Sequence, residues 1–532
     1  MRGIGRLEGC DETAAASTHR IRTQLPDQRT LHWLFYGSGH LHQINIEMDG
    51  RHELISDIER DALHREVGRS QGQLASQYEH DPQGRLLKHR ALRMGNAQQV
   101  ALERSYQYDA SGNLTQRQDS LRGEQRFRYD PTGRILQATG KVEEYFAFDP
   151  AGNLLAQRSG PQPAIGGNRL KVWQELRFEY DVHGNVVQRR KGAHEEAQLR
   201  WNAEHQLLEA EVTRHGVTQT TRYAYDALGR RVSKSDAFGS THYLWDGDLL
   251  LQSQRRARQA LFIYEPNSFV PLATVQEGQT YWYQCDQIGA PLELTDSQGQ
   301  VAWAAEYRVW GEAQLLATGT HGASGSRWGA RAEGRPALEQ PFRFQGQQFD
   351  EETGLHYNRF RYYDPGVGRF ASQDPIGLEG GINTFLYGEN PTGRIDPFGL
   401  SSARLDRKLG GRKGDCHEAH HLIPEEVMKD PQYKSMFDRL KSMGFDPDGA
   451  GNGIHLPANE TLAQQTGLPG HWSSHDQYTQ SIKSRVDQLF RSWQRGQVSD
   501  TQLALGVKDI QRRAKDDISS GRVQVNSKCR LI

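Results

Sequence analysis

The chain has 532 residues, of which 36% are hydrophobic and 55 are glycine, and its formal net charge is −1. That length exceeds one ordinary domain, and the low apolar fraction favours strands and turns over a thick central core. The four cysteines, Cys10, Cys285, Cys416 and Cys529, have no paired spacing, which argues against a disulfide framework or a Cys-x-x-Cys metal site.

Residues 1–30 are polar and poorly patterned, which predicts an irregular N-terminal segment. They lack the apolar stretch of a secretory signal peptide, and no segment approaches the roughly 18 consecutive apolar residues of a membrane span. We therefore expect a protein that is made in the cytoplasm and that needs another machine for any export.

From Leu31 onwards the sequence repeats an aromatic residue, aspartate, two variable residues and glycine. The copies begin at Tyr78, Tyr108, Tyr129, Phe148, Tyr180, Trp201 and Tyr225, of which the Trp201 copy is degraded. A regular spacing, such as the 21 residues from Tyr108 to Tyr129, indicates a repeat array. Each D-x-x-G segment can reverse the chain, so each unit is predicted to be a β-hairpin.

One hairpin alone is marginally stable, so the units are expected to pair into one continuous antiparallel wall over residues 31–345. The repeat aromatics should then lie on inner or inter-unit faces. We assign 31–340 to this repeat shell, with the Gly-rich stretch 321–337 as a loop excursion, and 341–400 to a core segment. On the repeats alone, an open β-solenoid that binds carbohydrate or another surface is an alternative.

Two Asp-Pro-x-Gly tetrads frame the stretch before residue 400. They begin at Asp374 and Asp396, and eighteen residues separate them. Pro fixes φ and Gly supplies positive φ, so each tetrad predicts a tight turn that holds an Asp side chain at a bend. Two carboxyls brought together can share one proton, as in aspartic peptidases. An isolated tetrad of this kind would be read simply as a good turn.

After Leu400 the repeats stop and a basic domain begins, with 20 Lys and Arg against 16 Asp and Glu in residues 401–532. Amphipathic patterns predict helices over 430–443 and 479–493 and a further helix from a Ser499 cap to about Ile518. His471 and His475 are four residues apart, so both could face one metal ion, and the pair His420 and His421 could supply a third ligand and a base.

The repeats and the paired tetrads resemble Rhs proteins, the polymorphic toxins built on YD repeats. That resemblance implies a β-cocoon, aspartyl self-cleavage between Leu400 and Ser401 by Asp374 and Asp396, and an assisting Arg361. The family's PAAR-like delivery module is missing, so we expect the chain to be the C-terminal portion of a longer type of protein.

Within the tail, AHHLIP (419–424), NGIHLP (452–457) and the His-x-x-x-His pair resemble the AHH group of HNH, or ββα-metal, nucleases. The resemblance implies one divalent metal ion (Zn, Ni or Mg) on His420, His471 and His475. His421 would then be the general base and Asn452 would orient its ring. The basic residues beyond Tyr478 could contact phosphates, although such a run is often only a solvated face.

Together these features predict a mainly β shell followed by a small α-rich ββα-metal domain. The function expected is a self-processing toxin of interbacterial competition that cuts nucleic acid, with DNA favoured over RNA. A type VI secretion system and a cognate immunity protein are the expected partners. The alternatives are a YD-repeat scaffold with an inactive tail and a zinc deaminase or other hydrolase. The missing Cys-x-x-Cys disfavours the deaminase.

Overall fold

The computed structural model describes residues 21–37, 39–48, 50–95, 99–155, 164–266, 268–316, 338–377, 382–388, 390–400, 417–428, 430–442, 452–457, 469, 476–519, 523 and 525. The chain divides into two compact units, with the boundary after Leu400. The first is built of β-strands and the second mainly of helices, which confirms the predicted fold class. Within these ranges, no helix is both long and apolar enough to cross a bilayer.

The first large sheet has twelve strands, each antiparallel to its neighbour in sequence. They are β1 Arg22–Gln24, β2 Thr30–Phe35, β3 Leu41–Met48, β4 Arg51–Arg60, β5 Glu66–Gln71, β6 Leu74–His80, β7 Leu86–Arg93, β8 Gln99–Tyr108, β9 Leu114–Asp119, β10 Gly123–Tyr129, β11 Ile135–Thr139 and β12 Glu144–Tyr145. Strand β1 lies within residues 1–30, so the prediction that this whole segment is irregular is wrong. The paired Thr23 is buried there, as are Leu25 and Thr30.

A two-stranded pair and a second large sheet of sixteen antiparallel strands follow. The pair is β13 Ala147–Phe148 and β14 Leu154–Leu155. The sheet comprises β15 Ala164–Gly166, β16 Arg169–Trp173, β17 Leu176–Tyr180, β18 Val186–Lys191, β19 Glu195–Trp201, β20 Leu207–Arg214, β21 Val217–Tyr225, β22 Arg231–Asp236, β23 Gly239–Asp246, β24 Leu249–Arg255, β25 Arg258–Tyr264, β26 Pro271–Gln276, β27 Gln279–Cys285, β28 Pro291–Thr295, β29 Val301–Tyr307 and β30 Ala313–Leu315. The predicted excursion at 321–337 lies outside the described residues.

The predicted single wall is therefore wrong, because the described strands form two sheets with the β13–β14 pair between them. Phe146 and Phe148 pack edge-on against Trp310, with ring centroids 6.0 and 6.5 Å apart. These contacts pack the β13–β14 pair against a distant part of the chain. Hydrogen-bonded strand pairing does not continue from β12 to β15.

The D-x-x-G turns share one set of hydrogen bonds, which the turn at Asp181 illustrates. The Asp181 carboxylate accepts from the backbone N–H groups of His183 and Asn185, both at 2.9 Å. Gly184 has φ +87° and donates its N–H to the Asp181 carbonyl at 3.2 Å. The Asn185 side chain donates a third hydrogen bond to the carboxylate, at 2.7 Å. Each turn is thus locked by the aspartate, the glycine and the residue that follows the glycine.

In five of the seven copies, the aromatic residue ahead of the turn reaches back to the preceding unit. Its polar atom donates to a backbone carbonyl there, in the pairs Tyr108–Leu86, Tyr129–Leu114, Tyr180–Leu170, Trp201–Val186 and Tyr225–Leu207, at 2.7 to 2.9 Å. Phe148 has no polar atom and packs on Trp310 instead. The inter-unit position predicted for the repeat aromatics is confirmed.

The two large sheets share a core within the first unit. Leu31 and Ile46 of the first sheet are buried together with Leu272 and Trp282 of the second. The Trp282 indole donates to the Ile55 carbonyl at 2.6 Å, again between the sheets. A buried group of charges crosses the same way and joins Arg104, Asp119 and Arg122 to Glu293.

A four-stranded sheet ends the first unit. The sheet is β31 Gln348–Phe349, β32 His356–Asn358, β33 Arg361–Asp364 and β34 Arg369–Phe370. In the second unit, the described residues form helices and a two-stranded antiparallel sheet. The second unit contains β35 His417–His421, α1 Glu425–Met428, a 3-10 turn at Pro431–Tyr433, α2 Lys434–Ser442, β36 Gly453–Pro457, α3 Asp476–Gln494 and α4 Asp500–Ser519. The three helices predicted in the tail are confirmed, each within a few residues of its expected bounds.

Candidate self-cleavage and nuclease sites

Strand β33 carries Arg361 into the interior of the first unit. Asn358 of β32 pairs directly with Arg361 in the antiparallel register. The Arg361 guanidinium carbon lies 3.5 Å from the ring centroid of Phe370, which belongs to the neighbouring strand β34. The side chain of Arg361 is completely inaccessible to solvent. The sheet therefore fixes a cation in a site from which water is excluded.

One nitrogen of Arg361 contacts both predicted catalytic carboxylates. Its Nη2 is 3.0 Å from Asp374 Oδ2 and 3.4 Å from Asp396 Oδ2. The two side chains are only 3% and 7% exposed, so the three charged groups share a nearly dry environment. The structure thus brings together the three residues that the sequence assigned to self-cleavage.

Both tetrads form the predicted tight turns. The Gly377 N–H donates to the Asp374 carbonyl at 2.8 Å, and the Gly399 N–H donates to the Asp396 carbonyl at 3.3 Å. Gly399 has φ +68°, and a Cβ there would lie 2.7 Å from the Asn358 carbonyl oxygen. Only glycine fits this approach, so the turn and the β32 strand position one another.

The second turn also holds the chain next to the predicted cleavage point. The Leu400 N–H donates to Asp396 Oδ1 at 2.9 Å. The Gly399 carbonyl accepts a hydrogen bond from Arg361 Nε. The carboxylate and the guanidinium therefore fix the two residues that precede the Leu400–Ser401 bond. Ser401 itself lies outside the described residues.

Burial changes the acid–base properties of this group. Loss of solvation raises the pKa of Asp396 to about 7, against the opposing effect of Arg361. The same loss of solvation lowers the pKa of Arg361 to about 10, which still leaves it charged at neutral pH. An Asp that can hold its proton near neutrality beside a second carboxylate is the arrangement that acid–base catalysis by paired carboxyls requires.

Two residues of this site were missed by sequence reasoning. Asn358 donates its side-chain N–H to the Asp396 carbonyl at 2.9 Å, and the Tyr387 hydroxyl accepts from the Asp396 N–H at 3.3 Å. Both fix the backbone of the second turn. They belong to separate segments of the chain, so no local motif links them to Asp396, although Asn358 could have been found as the hairpin partner of Arg361.

In the second unit, a two-stranded antiparallel sheet contains the paired histidines. Strand β35 runs antiparallel to β36, with His421 opposite Gly453 and His420 opposite Ile454. His421 is half-buried.

Asn452 immediately precedes β36 and is 1% exposed. Its side-chain oxygen accepts from the Ile423 N–H at 3.0 Å and from the Gln511 side chain at 3.2 Å. Its backbone carbonyl accepts from the Leu422 N–H at 2.8 Å. Asn452 thus clamps the segment that follows His421, which fixes where β35 ends.

Helix α3 is tied to the same strand end. The Tyr478 hydroxyl, in the first turn of α3, donates to the Leu422 carbonyl at 2.7 Å. In sequence Tyr478 lies three residues after His475. The His471 and His475 residues and the side chain of His420 lie outside the described part of the chain, so the predicted metal ligands stay a prediction.

The basic residues of α3 and α4 are largely paired with acids. The described ion pairs are Lys483–Asp430, Arg485–Asp517, Arg491–Asp487, Arg512–Asp509 and Arg513–Asp509, at 2.6 to 3.0 Å. To contact phosphates, these basic side chains would have to exchange their carboxylate partners for phosphate groups. For these five residues the structure favours a solvated, mutually neutralised face.

Two protein families match separate parts of the chain. Residues 30–383 match the family described as Teneurin YD-shell. Residues 404–514 match the AHH family, described as a nuclease family of the HNH/ENDO VII superfamily. The boundary between the matched regions agrees with the division of the structure after Leu400.

Several of the curated relatives are named as toxins or nucleases. "Double-stranded DNA deaminase toxin A" of Burkholderia cenocepacia is 38% identical over 71% of this chain. "Toxin protein Tse5" of Pseudomonas aeruginosa is 32% identical over 72%, and "Probable deoxyribonuclease RhsA" of Dickeya dadantii is 29% identical over 78%. The chain spans 28%, 33% and 29% of the lengths of these relatives.

Solved structures share the fold of the shell. The Tc holotoxin pore of Photorhabdus luminescens aligns with a TM-score of 0.59 at 19% identity, and the TcdB2–TccC3–Cdc42 crystal structure aligns at 0.58 and 19%. Each alignment covers 72% of this chain and 21% of the other. The chain therefore belongs to the Teneurin YD-shell family, is related to proteins named RhsA and RhsB, and carries at its carboxyl end a domain that matches the AHH nuclease family.

Proposed function

We propose that this chain is part of a toxin that cuts itself after Leu400 and whose carboxyl-terminal domain hydrolyses nucleic acid. The observation that carries the first half is the contact of one Arg361 nitrogen with both Asp374 and Asp396, beside the turn that holds Leu400. The proposed nuclease activity is supported by the AHH match and by the two-stranded sheet that carries His421.

The carboxyl pair can divide the work of peptide hydrolysis. Asp374, which contacts Arg361, acts as the base and takes a proton from water as the water oxygen attacks the Leu400 carbonyl carbon. Asp396, whose pKa burial raises to about 7, gives its proton to the Ser401 nitrogen as the C–N bond breaks. The products are a carboxyl group on Leu400 and an amino group on Ser401.

Self-cleavage should then be fast below pH 7 and slow above it. The raised pKa of Asp396 keeps its carboxyl protonated up to about pH 7, and deprotonation above that value removes the acid. We expect the first-order rate constant to fall roughly tenfold per pH unit above the transition. Newly synthesised chain from cell-free translation, shifted to buffers between about pH 5.5 and 8.5, would give this profile on denaturing gels. A rate constant that rises with pH would contradict the assignment.

In the second unit, the donor set of His420, His471 and His475 is suited to one divalent ion such as zinc or nickel, because neutral imidazoles are good ligands for both. Such an ion supplies Lewis-acid stabilisation of charge on the phosphate and leaving oxygen. His421 takes a proton from the attacking water and Asn452 orients its ring. Asn452 also holds the end of the strand that carries His421, through its bonds to Leu422 and Ile423.

DNA is the favoured substrate, since two relatives are named as probable deoxyribonucleases. The test is incubation of the purified protein with plasmid DNA and with total RNA, with and without a chelator. We expect chelator-sensitive cutting of the plasmid that exceeds the cutting of RNA. Undiminished cutting in the chelator would contradict metal dependence. An uncut plasmid and uncut RNA would favour the alternative, a YD-repeat scaffold with an inactive tail.

As a toxin of interbacterial competition, the protein would be exported, with a type VI system as the proposed route, and a cognate immunity protein would protect the producing cell. The relatives named as toxins support this proposal.

A further inference from the structure

The start of the first sheet carries three metal-ligating side chains on one face. His32 lies on β2, Glu47 on β3 and His52 on β4. Glu47 is directly opposite His52 on one side and Thr30 on the other, so all three lie on one face of the sheet. His32 is two residues after Thr30 and therefore lies on the same face. Three consecutive strands thus each contribute one side chain to one patch.

The distances in this patch suit a small cation. The three ligand atoms all lie within 4.8 Å of one another, and among the described residues they form the one such group. His32 Nε2 and Glu47 Oε2 are 3.2 Å apart. Ligand atoms about 2.0–2.2 Å from a tetrahedral zinc ion are themselves about 3.3 Å apart, so this edge of the site already exists.

The backbone under the patch is held firmly while the ligands reach solvent. Leu31 and Ile46, which point to the other face, are 1% and 0% exposed and belong to the core between the large sheets. The side chains of His32 and Glu47 are 32% and 37% exposed, and His52 is exposed.

We propose that His32, Glu47 and His52 bind one divalent transition-metal ion, of which zinc fits the two-imidazole, one-carboxylate set best, and that the ion staples β2, β3 and β4 together. The neighbouring edge strand β1 has only three residues, so a cross-link between β2, β3 and β4 would strengthen this end of the sheet. An ion that binds the folded sheet and not the unfolded chain stabilises the fold by mass action.

One charged neighbour works against the ion. Arg22 of β1 is directly opposite His32 and so shares its face. Its positive charge should weaken the binding of a cation. Arg22→Gln is therefore expected to tighten binding, an effect that a purely structural role of the two histidines would not produce.

The experiment uses the full chain, stripped with a chelator and loaded with Zn²⁺. Bound metal is counted by mass spectrometry after gel filtration, and Tm is measured with and without zinc. The wild type should hold one equivalent more than Glu47→Gln or His52→Ala, and only the wild type should gain Tm from this site. Any zinc held by the carboxyl-terminal domain is common to all variants, so it cancels in the difference.

The matched control is His194→Ala, which removes another exposed histidine, in a turn of the second sheet. It should bind zinc like the wild type, whereas Glu47→Gln, which keeps the size of the side chain, should bind at least about tenfold more weakly. Equal zinc content and equal Tm response in wild type, Glu47→Gln and His52→Ala would overturn the proposal, even if the nuclease proposal holds.

Discussion

Replacing Asp396 by asparagine is expected to leave the chain uncut, with a rate constant for self-cleavage at least about 100-fold below that of the wild type. Asparagine preserves the size of the side chain and can still accept from the Leu400 N–H, but it has no proton to give to the leaving nitrogen. Denaturing gels of freshly translated protein, sampled over time, measure the rate.

Asp226→Asn is the matched control for this variant. Asp226 has the same place in a D-x-x-G turn, and its carboxylate accepts from the N–H groups of Leu228 and Arg230. The chain already tolerates asparagine at this position of a turn, since Asn202 accepts from Glu204 and Gln206 in the same way. The control should cleave normally. Cleavage of Asp396→Asn at the rate of this control would refute the role of Asp396.

Replacing His421 by alanine is expected to reduce nucleic-acid cutting by roughly 10²- to 10⁴-fold, which is the usual contribution of a general base. The bound metal should remain, because His421 is not among the proposed ligands. His475→Ala should lose both the metal and the activity. Plasmid nicking together with the metal content of each variant distinguishes the two effects.

Gln480→Ala is a suitable control for the nuclease variants, because Gln480 is exposed on helix α3 two residues after Tyr478. It should nick plasmid like the wild type. If His421→Ala nicks as fast as this control, His421 is not the base. If it loses its metal as well, His421 is a ligand and the proposed division between His420 and His421 is wrong.

Sequence could predict what depends on local chemistry. The turns at Asp181 and Asp226 follow from the preferences of Asp and Gly, and the helix that begins at Asp500 follows from its Ser499 cap. Ser499 accepts from the Gln502 N–H at 3.3 Å, and the Gln502 side chain accepts from the Ser499 N–H at 2.8 Å. The family pattern assigned Arg361, Asp374 and Asp396 to one site, and in the structure Arg361 contacts both aspartates.

Sequence could not predict what depends on packing between distant segments. At the break between the two sheets, Phe146 and Phe148 contact Trp310, which is more than 160 residues away in sequence. The buried ion pair between Arg104 and Glu293 also joins distant segments, and neither residue belongs to a local sequence motif that predicts its partner. The contacts of Asn358 and Tyr387 with the Asp396 backbone likewise depend on packing between separate segments of the chain.

The central claim is that the first unit cuts the chain after Leu400, and intact-mass measurement of the purified wild-type protein tests it most directly. We predict two species, one ending with a free carboxyl on Leu400 and one beginning at Ser401, whose masses sum to the full chain plus one water. The fragment beginning at Ser401 should give the amino-terminal sequence Ser-Ser-Ala-Arg. A single species at the mass of all 532 residues would contradict the account.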